Sequence, residues 1–175
     1  MDFLGFGQLT LVQDFRALYA YKCGQYKHCL QMSMHSVSAL AVNRVDIDTY
    51  LCLPLIPECI QLLDDDIVSL IGLVLIVGLN PSSILLRPLF AIHQLVLSLY
   101  LTTQCQIKLH HSLMSLAMTL DYIQLARSNI GRISKYVLDS FHGNPILNEI
   151  CIADQHVLKF VEQMILRYIA VSYKR

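Results

Sequence analysis

The stretch YKCGQY at residues 21–26 decides how the first part of this chain folds. Apolar residues recur at helical spacing on both sides of it, and Gly24 lies where a left-handed turn would end the first helix. A second helical pattern begins at Tyr26, so very few residues separate the two helices. Helices joined by so short a turn lie antiparallel, and the pattern therefore predicts a helical hairpin over residues 9–42.

This hairpin resembles a tetratricopeptide repeat, a helix-turn-helix unit of about 34 residues. The match covers residues 14–41, and no second copy follows one repeat further along the chain. In such repeats small residues let two helices approach, glycine occupies the turn and an aromatic side chain packs between the helices. The resemblance implies a protein-interaction unit, and it assigns the structural roles of the hairpin to Ala17, Tyr21, Gly24, Tyr26, Cys29 and Leu30.

The middle of the chain predicts two further helical units. Three consecutive aspartates at 64–66 precede an apolar stretch, which predicts a central helix over residues 66–79 that is apolar on every side. A second hairpin is predicted over residues 88–127, with its corner at residues 110–111 and Ser112 as the N-cap of its second helix. Its first helix carries a polar stripe formed by Gln94, Ser98, Thr102 and Gln106.

Two more helices are predicted at the C-terminal end. Asn129 and Gly131 interrupt the helical pattern, and Asp154 is suited to cap a helix, which together predict helices over residues 132–142 and 154–173. A short helical turn is expected at 49–53, because prolines at 54 and 57 argue against a strand there.

The patterns together predict an all-α protein. Residues 1–175 form a single helical domain in which antiparallel hairpins stack as an irregular bundle or a short solenoid of tetratricopeptide type. Because the first helix starts so early, we expect this chain to be the C-terminal or accessory part of a longer protein.

The composition limits the classes of partner. Hydrophobic residues make up 55% of the chain and charged residues 15%, a balance that favours a large core or an apolar face for a partner. Thirteen basic and thirteen acidic residues cancel without a basic cluster, which argues against nucleic acid as a partner. The six cysteines are widely spaced within apolar patterns, which predicts core thiols in a reducing compartment such as the cytoplasm.

The sequence offers no motif for catalysis, for a cofactor or for a metal ion. Zinc sites usually use close pairs of ligands, but no Cys-x-x-Cys pair occurs, and His28 and His35 lie two helical turns apart. The aspartates at 64–66 lack the glycine and distal glutamate of a calcium loop, so we interpret them as helix capping. Paired histidines at 110–111 could respond to pH, although adjacent histidines at a helix corner are more often simply exposed.

These observations predict a non-catalytic helical scaffold or protein-protein interaction module. Its partner would be a protein, a peptide or a neighbouring domain of the same protein, and self-association is a further option. One alternative is a membrane-associated helical protein that uses the apolar segments 67–79 and 84–101. Another is an accessory domain of an enzyme or nucleotide-binding protein encoded upstream.

Overall fold

The computed structural model of the chain describes residues 3–42, 52–54, 60–69, 91–140 and 145–174. Within these ranges the regular elements are, in chain order, α1 (Phe3–Lys22), α2 (Tyr26–Val42), β1 (Cys52–Pro54), β2 (Ala91–His93), α3 (Gln94–Lys108), α4 (Leu113–Ser140) and α5 (Pro145–Ser172). The all-α prediction is confirmed, since the helices pack on one another as a bundle.

The corner between α1 and α2 has the geometry that its sequence predicts. Gly24 has a positive φ of 74°, and its N–H donates to the Tyr21 carbonyl at 3.0 Å. The next N–H, of Gln25, reaches back to the Ala20 carbonyl at 2.9 Å, so the two bonds form a Schellman motif. The Gln25 carbonyl then accepts from the N–H of Cys29, which starts α2 without a linker.

The corner between α3 and α4 repeats this motif with a histidine in place of glycine. The N–H of His111 donates to the Gln106 carbonyl at 2.9 Å, and His110 takes the left-handed conformation with φ 53°. Ser112 Oγ accepts from the N–H of Ser115 at 3.3 Å, so Ser112 is the predicted N-cap. The predicted corner of the second hairpin is therefore confirmed.

Helix α3 lies at the centre of the bundle. Twelve of its 15 residues are buried, and α1, α2, α4 and α5 all contact it. The predicted polar stripe of this helix is buried as well, because neighbouring helices cover every side of it. Some stripe residues instead bond across helix interfaces: Thr102 Oγ1 donates to Ser33 Oγ on α2 at 3.0 Å.

The start of the second hairpin differs from the prediction. Residues 91–93 form strand β2 rather than the first turn of a helix, and they pair antiparallel with β1, with Leu53 opposite Ile92. The prediction of a helical turn at 49–53 is wrong at residues 52–53, which belong to β1. Pairing between segments about 40 residues apart in sequence outweighs local preference here, and no local pattern signals it.

The two helices at the C-terminal end are longer than the sequence predicts. Helix α4 runs without a break through Asn129 and Gly131, so no separate helix over 132–142 exists. A glycine costs a helix only about 1 kcal/mol, which burial of Ile123, Ala126 and Ile130 outweighs. Helix α5 begins at Pro145 rather than near residue 154, because proline is well tolerated in the first turn.

The predicted central apolar helix is described only at its beginning. Residues 65–69 are helical, and the Asp64 carbonyl accepts from the N–H groups of Ile67 and Val68, as expected of an N-cap. Ile67 is fully buried in the common core. Residues 70–79 of this prediction lie outside the described residues.

Candidate functional site

The residues assigned by the tetratricopeptide resemblance meet at the first corner. Most of them are buried, Gly24 makes the turn, and the rings of Tyr21 and Tyr26 contact each other with centroids 5.8 Å apart. They pack the two helices together. Whether the hairpin belongs to the tetratricopeptide class stays a prediction.

A tyrosine cluster ties this corner to two other parts of the chain. Asp64 Oδ2 accepts hydrogen bonds from the hydroxyls of Tyr21, at 2.9 Å, and of Tyr100 on α3. Burial, together with the hydrogen bond to Asp64, raises the pKa of both tyrosines above the ordinary value. The interpretation of Asp64 as a cap holds for its backbone only, because its side chain binds the tyrosines.

A groove between α2 and α4, with α3 as its floor, is the candidate binding site. It encloses a cavity of about 220 Å³. Each of the three helices and the corner after α3 contributes to its lining: Met34, Val37 and Ser38; Leu99, Thr102 and Gln106; His111; and Ser115, Met118, Thr119 and Tyr122. Sequence reasoning missed this groove, because its walls come from helices about 80 residues apart.

The lining of the groove is mostly apolar, with hydroxyl and amide groups in its walls and its floor. Met34 on α2 is 45% exposed and Met118 on α4 is 54% exposed, so each wall carries an exposed, flexible thioether side chain. Hydrogen bonds hold the floor in place: Thr119 Oγ1 donates to Gln106 Oε1 at 2.9 Å. Such an apolar cleft with a few polar groups is the usual form of a binding site.

The described residues that line the groove carry apolar, hydroxyl, amide and imidazole side chains. They include no carboxylate, no thiol and no lysine or arginine. Among the described lining residues, the titratable groups are His111 and Tyr122. Within the described part of the chain, no hydrogen bond joins either of them to a nucleophilic side chain. Among those residues, no group of three histidine, cysteine, aspartate or glutamate side chains could hold a metal ion.

Two buried titratable residues with strongly shifted pKa values lie outside the groove. Burial raises the pKa of Asp14 on α1 to about 7, and burial lowers the pKa of His93 to about 4. The sequence pattern could have identified Asp14 as buried. Asp14 precedes Ala17, Leu18 and Tyr21 by three, four and seven residues, on the buried stripe of α1. Such shifts often mark functional sites, but here they follow from core burial.

His93 and Asp154 make hydrogen bonds at the N-terminus of α3. The His93 ring Nδ1 accepts from the N–H of Leu95 at 3.2 Å, and the backbone N–H of His93 donates to Asp154 Oδ1 at 3.1 Å. Asp154 was predicted to cap its own helix, which is wrong, because it lies inside α5 and is buried against the start of α3. A carboxylate near a helix N-terminus is favourable even when another helix supplies it.

The cysteines follow the predicted pattern in most of the described positions. Cys29, Cys105 and Cys151 are buried, and none of the three is in a disulfide. Cys29 and Cys105, on α2 and α3, hydrogen-bond to each other; this contact and burial raise the pKa of the Cys105 thiol. Cys23 departs from the prediction, because the turn after α1 leaves it exposed.

No protein-family model, no curated protein and no solved structure matches this chain. Of the helices in the described ranges, none has both the length and the apolar character needed to cross a bilayer. Residues 92–101, from the apolar segment 84–101, are buried within the bundle.

Proposed function

We propose that this chain is a non-catalytic helical interaction module whose α2–α4 groove binds an apolar segment of a partner protein. The observation that carries the proposal is the groove itself, with Met34 and Met118 exposed at its opening. Methionine is frequent on surfaces that accept several partners, because its unbranched side chain adapts to different shapes.

The size of the cavity indicates what it accepts. An engineered cavity of about 150 Å³ binds one benzene molecule. The 220 Å³ of the groove therefore fits one aromatic side chain or two aliphatic ones, rather than a drug-sized molecule. An amphipathic helix inserts apolar anchors of this kind at positions three or four residues apart. A partner helix, from another protein or from a neighbouring domain, fits these dimensions.

The distribution of reactive groups supports a role without catalysis. Asp14 and His93, a buried acid and a buried histidine with shifted pKa values, lie in the core and at the start of α3, away from the groove lining. The tetratricopeptide resemblance agrees with an interaction role, since α2 of that hairpin forms one wall. The buried thiols on α2, α3 and α5, none of them in a disulfide, fit the cytoplasm or another reducing compartment.

Selection of helical peptides on the folded chain tests this proposal. We expect selected peptides to carry apolar residues three or four positions apart and to bind the unmodified chain. Met118→Glu should weaken their binding at least tenfold, because it places a charge in the apolar opening. Met114→Glu is the matched control: Met114 lies one turn earlier on α4, is 72% exposed and does not line the groove.

Isothermal titration calorimetry on both variants reads out the affinities, and circular dichroism confirms that they remain folded. The proposal fails if no peptide is selected. It also fails if Met114→Glu and Met118→Glu weaken binding equally, since the binding surface would then lie elsewhere on α4.

A further inference from the structure

The described exposed charged side chains on the outward surface of α5 are all basic. His156, Lys159 and Arg167 are exposed, and at 100° per residue they fall within about 80° of arc and about 17 Å of length along the helix. Lys174, also exposed, follows two residues after the end of the helix. The nearest carboxylate described on this helix, Glu162, lies beside that arc and is paired with Arg127 of α4 at 2.8 Å.

Large apolar side chains are exposed along the same surface. Ile152 lies among the basic residues, Leu166 flanks them on one side and Val171 on the other, and Tyr173 follows directly after the helix. Tyr173 is 77% exposed and Val171 is 56% exposed. The surface therefore combines cationic groups with apolar groups that gain free energy by leaving water.

A shallow depression lies within this surface. It has a volume of about 250 Å³, and its apolar part consists of Phe160 and Met164. Three basic side chains surround it, those of His156, Lys159 and Arg167, with Gln163 completing the rim. Cationic groups around an apolar base match an anionic headgroup above an acyl chain.

We propose that the outward face of α5 from Ile152 onward, together with Tyr173 and Lys174 directly after the helix, binds an anionic membrane surface. The helix lies in the plane of the lipid interface, where the exposed apolar side chains enter the headgroup region. Lysine and arginine keep their charges among the lipid phosphates while their alkyl stems cover apolar surface. This site is separate from the α2–α4 groove, so each can fail without the other.

The shape of the surface favours lipid over an acidic protein segment. A partner helix docks best in a groove with walls on both sides, as between α2 and α4. The basic face is the outside of one helix, and the described residues that line its depression all belong to α5. A membrane surface is planar and contacts such a face along its full length. Anionic headgroups pair with the basic side chains, and the apolar side chains enter the headgroup region.

Co-sedimentation with lipid vesicles tests the inference. We expect the chain to bind vesicles of phosphatidylcholine with 30% phosphatidylserine and to bind pure phosphatidylcholine weakly. Each basic residue near an anionic surface contributes about 1 kcal/mol, so K159E/R167E should lower the partition coefficient about thirtyfold or more. The control R16E/K27E makes the same change of charge at exposed sites on α1 and α2, and it should have little effect.

A second variant tests the apolar contribution. L166S/Y173S keeps every charge and should still lower the partition coefficient, because it removes apolar area that lipid would cover. Equal effects of K159E/R167E and R16E/K27E would overturn the proposal, as would equal binding to both kinds of vesicle. Binding to poly-L-glutamate without binding to vesicles would overturn it in favour of an acidic protein partner.

Discussion

Glycine has opposite energetic effects at two positions of this chain. At Gly24 the positive φ of 74° strains any other residue, although a Cβ atom would meet nothing within 4 Å. At Gly131, inside α4, a Cβ atom also has open space and the backbone is helical. The two sites therefore differ in backbone conformation and not in available space.

Alanine substitution should separate these effects. We expect Gly24→Ala to destabilise the fold by about 1 kcal/mol, through left-handed strain. Gly131→Ala should stabilise it by about 0.5–1 kcal/mol, because alanine favours a helix over glycine. Urea unfolding of the two variants measures both changes, and shifts of the same sign would contradict this explanation.

Asp14 and His93 should give the stability opposite dependences on pH. The folded state raises the pKa of Asp14 from about 4 to about 7, so the contribution of Asp14 falls as the pH rises through that window. It lowers the pKa of His93 from about 6.5 to about 4, so the contribution of His93 falls as the pH falls through that window. Between pH 4 and 6.5 the two slopes oppose each other.

Single variants should reveal each slope as a difference from the unmodified chain. Asp14→Asn should gain relative stability as the pH rises from 4 to 7, by on the order of 1 kcal/mol per unit. His93→Asn retains a cap acceptor and should gain relative stability as the pH falls from 6.5 to 4. Denaturant unfolding at several pH values measures both, with the exposed Asp121→Asn as control. A difference independent of pH would refute the assignment.

At the scale of the element, α3 shows how a helix with polar residues can lie in a core. Thr102 and Thr103 are adjacent and both buried, but their hydroxyls differ. The Thr102 hydroxyl donates to Ser33 Oγ, whereas Thr103 Oγ1 has no hydrogen-bond partner among the described residues. Burial of a polar group is costly only when the group is left unpaired.

Valine substitution at these two positions should give opposite results. Thr102→Val removes a buried hydrogen bond and should cost about 1 kcal/mol. Thr103→Val removes an unpaired hydroxyl at similar volume and should stabilise the fold by about 1 kcal/mol. Thermal unfolding of the two variants measures both changes in stability. If Thr103→Val lost as much stability as Thr102→Val, both hydroxyls would have to be hydrogen-bonded.

The helix ends also show which sequence patterns were sufficient to predict a helix boundary. Gly24 and Ser112 were assigned correctly, because a turn glycine and a serine N-cap act through bonds to residues three to five positions away. Gly131 and Asp154 were assigned wrongly as helix boundaries. Local preference at these two positions amounts to about 1 kcal/mol, and packing of α4 and α5 on the rest of the bundle exceeds it.

At the scale of the whole molecule, Asp64 joins segments that are far apart in sequence. Tyr21 and Tyr100 lie 43 and 36 residues from it, and both donate to the same carboxylate oxygen. One half-buried acid, Asp64 in the segment 60–69, therefore joins the first hairpin to α3. A carboxylate that accepts hydrogen bonds from two hydroxyl groups binds them more strongly than a neutral acceptor would.

Removal of one hydroxyl should weaken this junction measurably. We expect Tyr100→Phe to cost about 2 kcal/mol, in the range of hydrogen bonds to charged groups. Tyr173→Phe, on the exposed end of α5, should change stability by less than about 0.5 kcal/mol. A double-mutant cycle with Asp64→Asn measures the coupling, and additive effects would show that the bond contributes nothing.

The sequence by itself determined the helical class, the first hairpin with its glycine turn, and the corner with its serine cap. These features depend on helical periodicity and on bonds between residues close in the chain, which a linear pattern records. The tertiary structure alone decided which helix is central, where α4 ends and α5 begins, and that β1 pairs with β2. It also decided the α2–α4 groove and the basic face of α5, because each requires knowledge of which helix sides the rest of the chain covers.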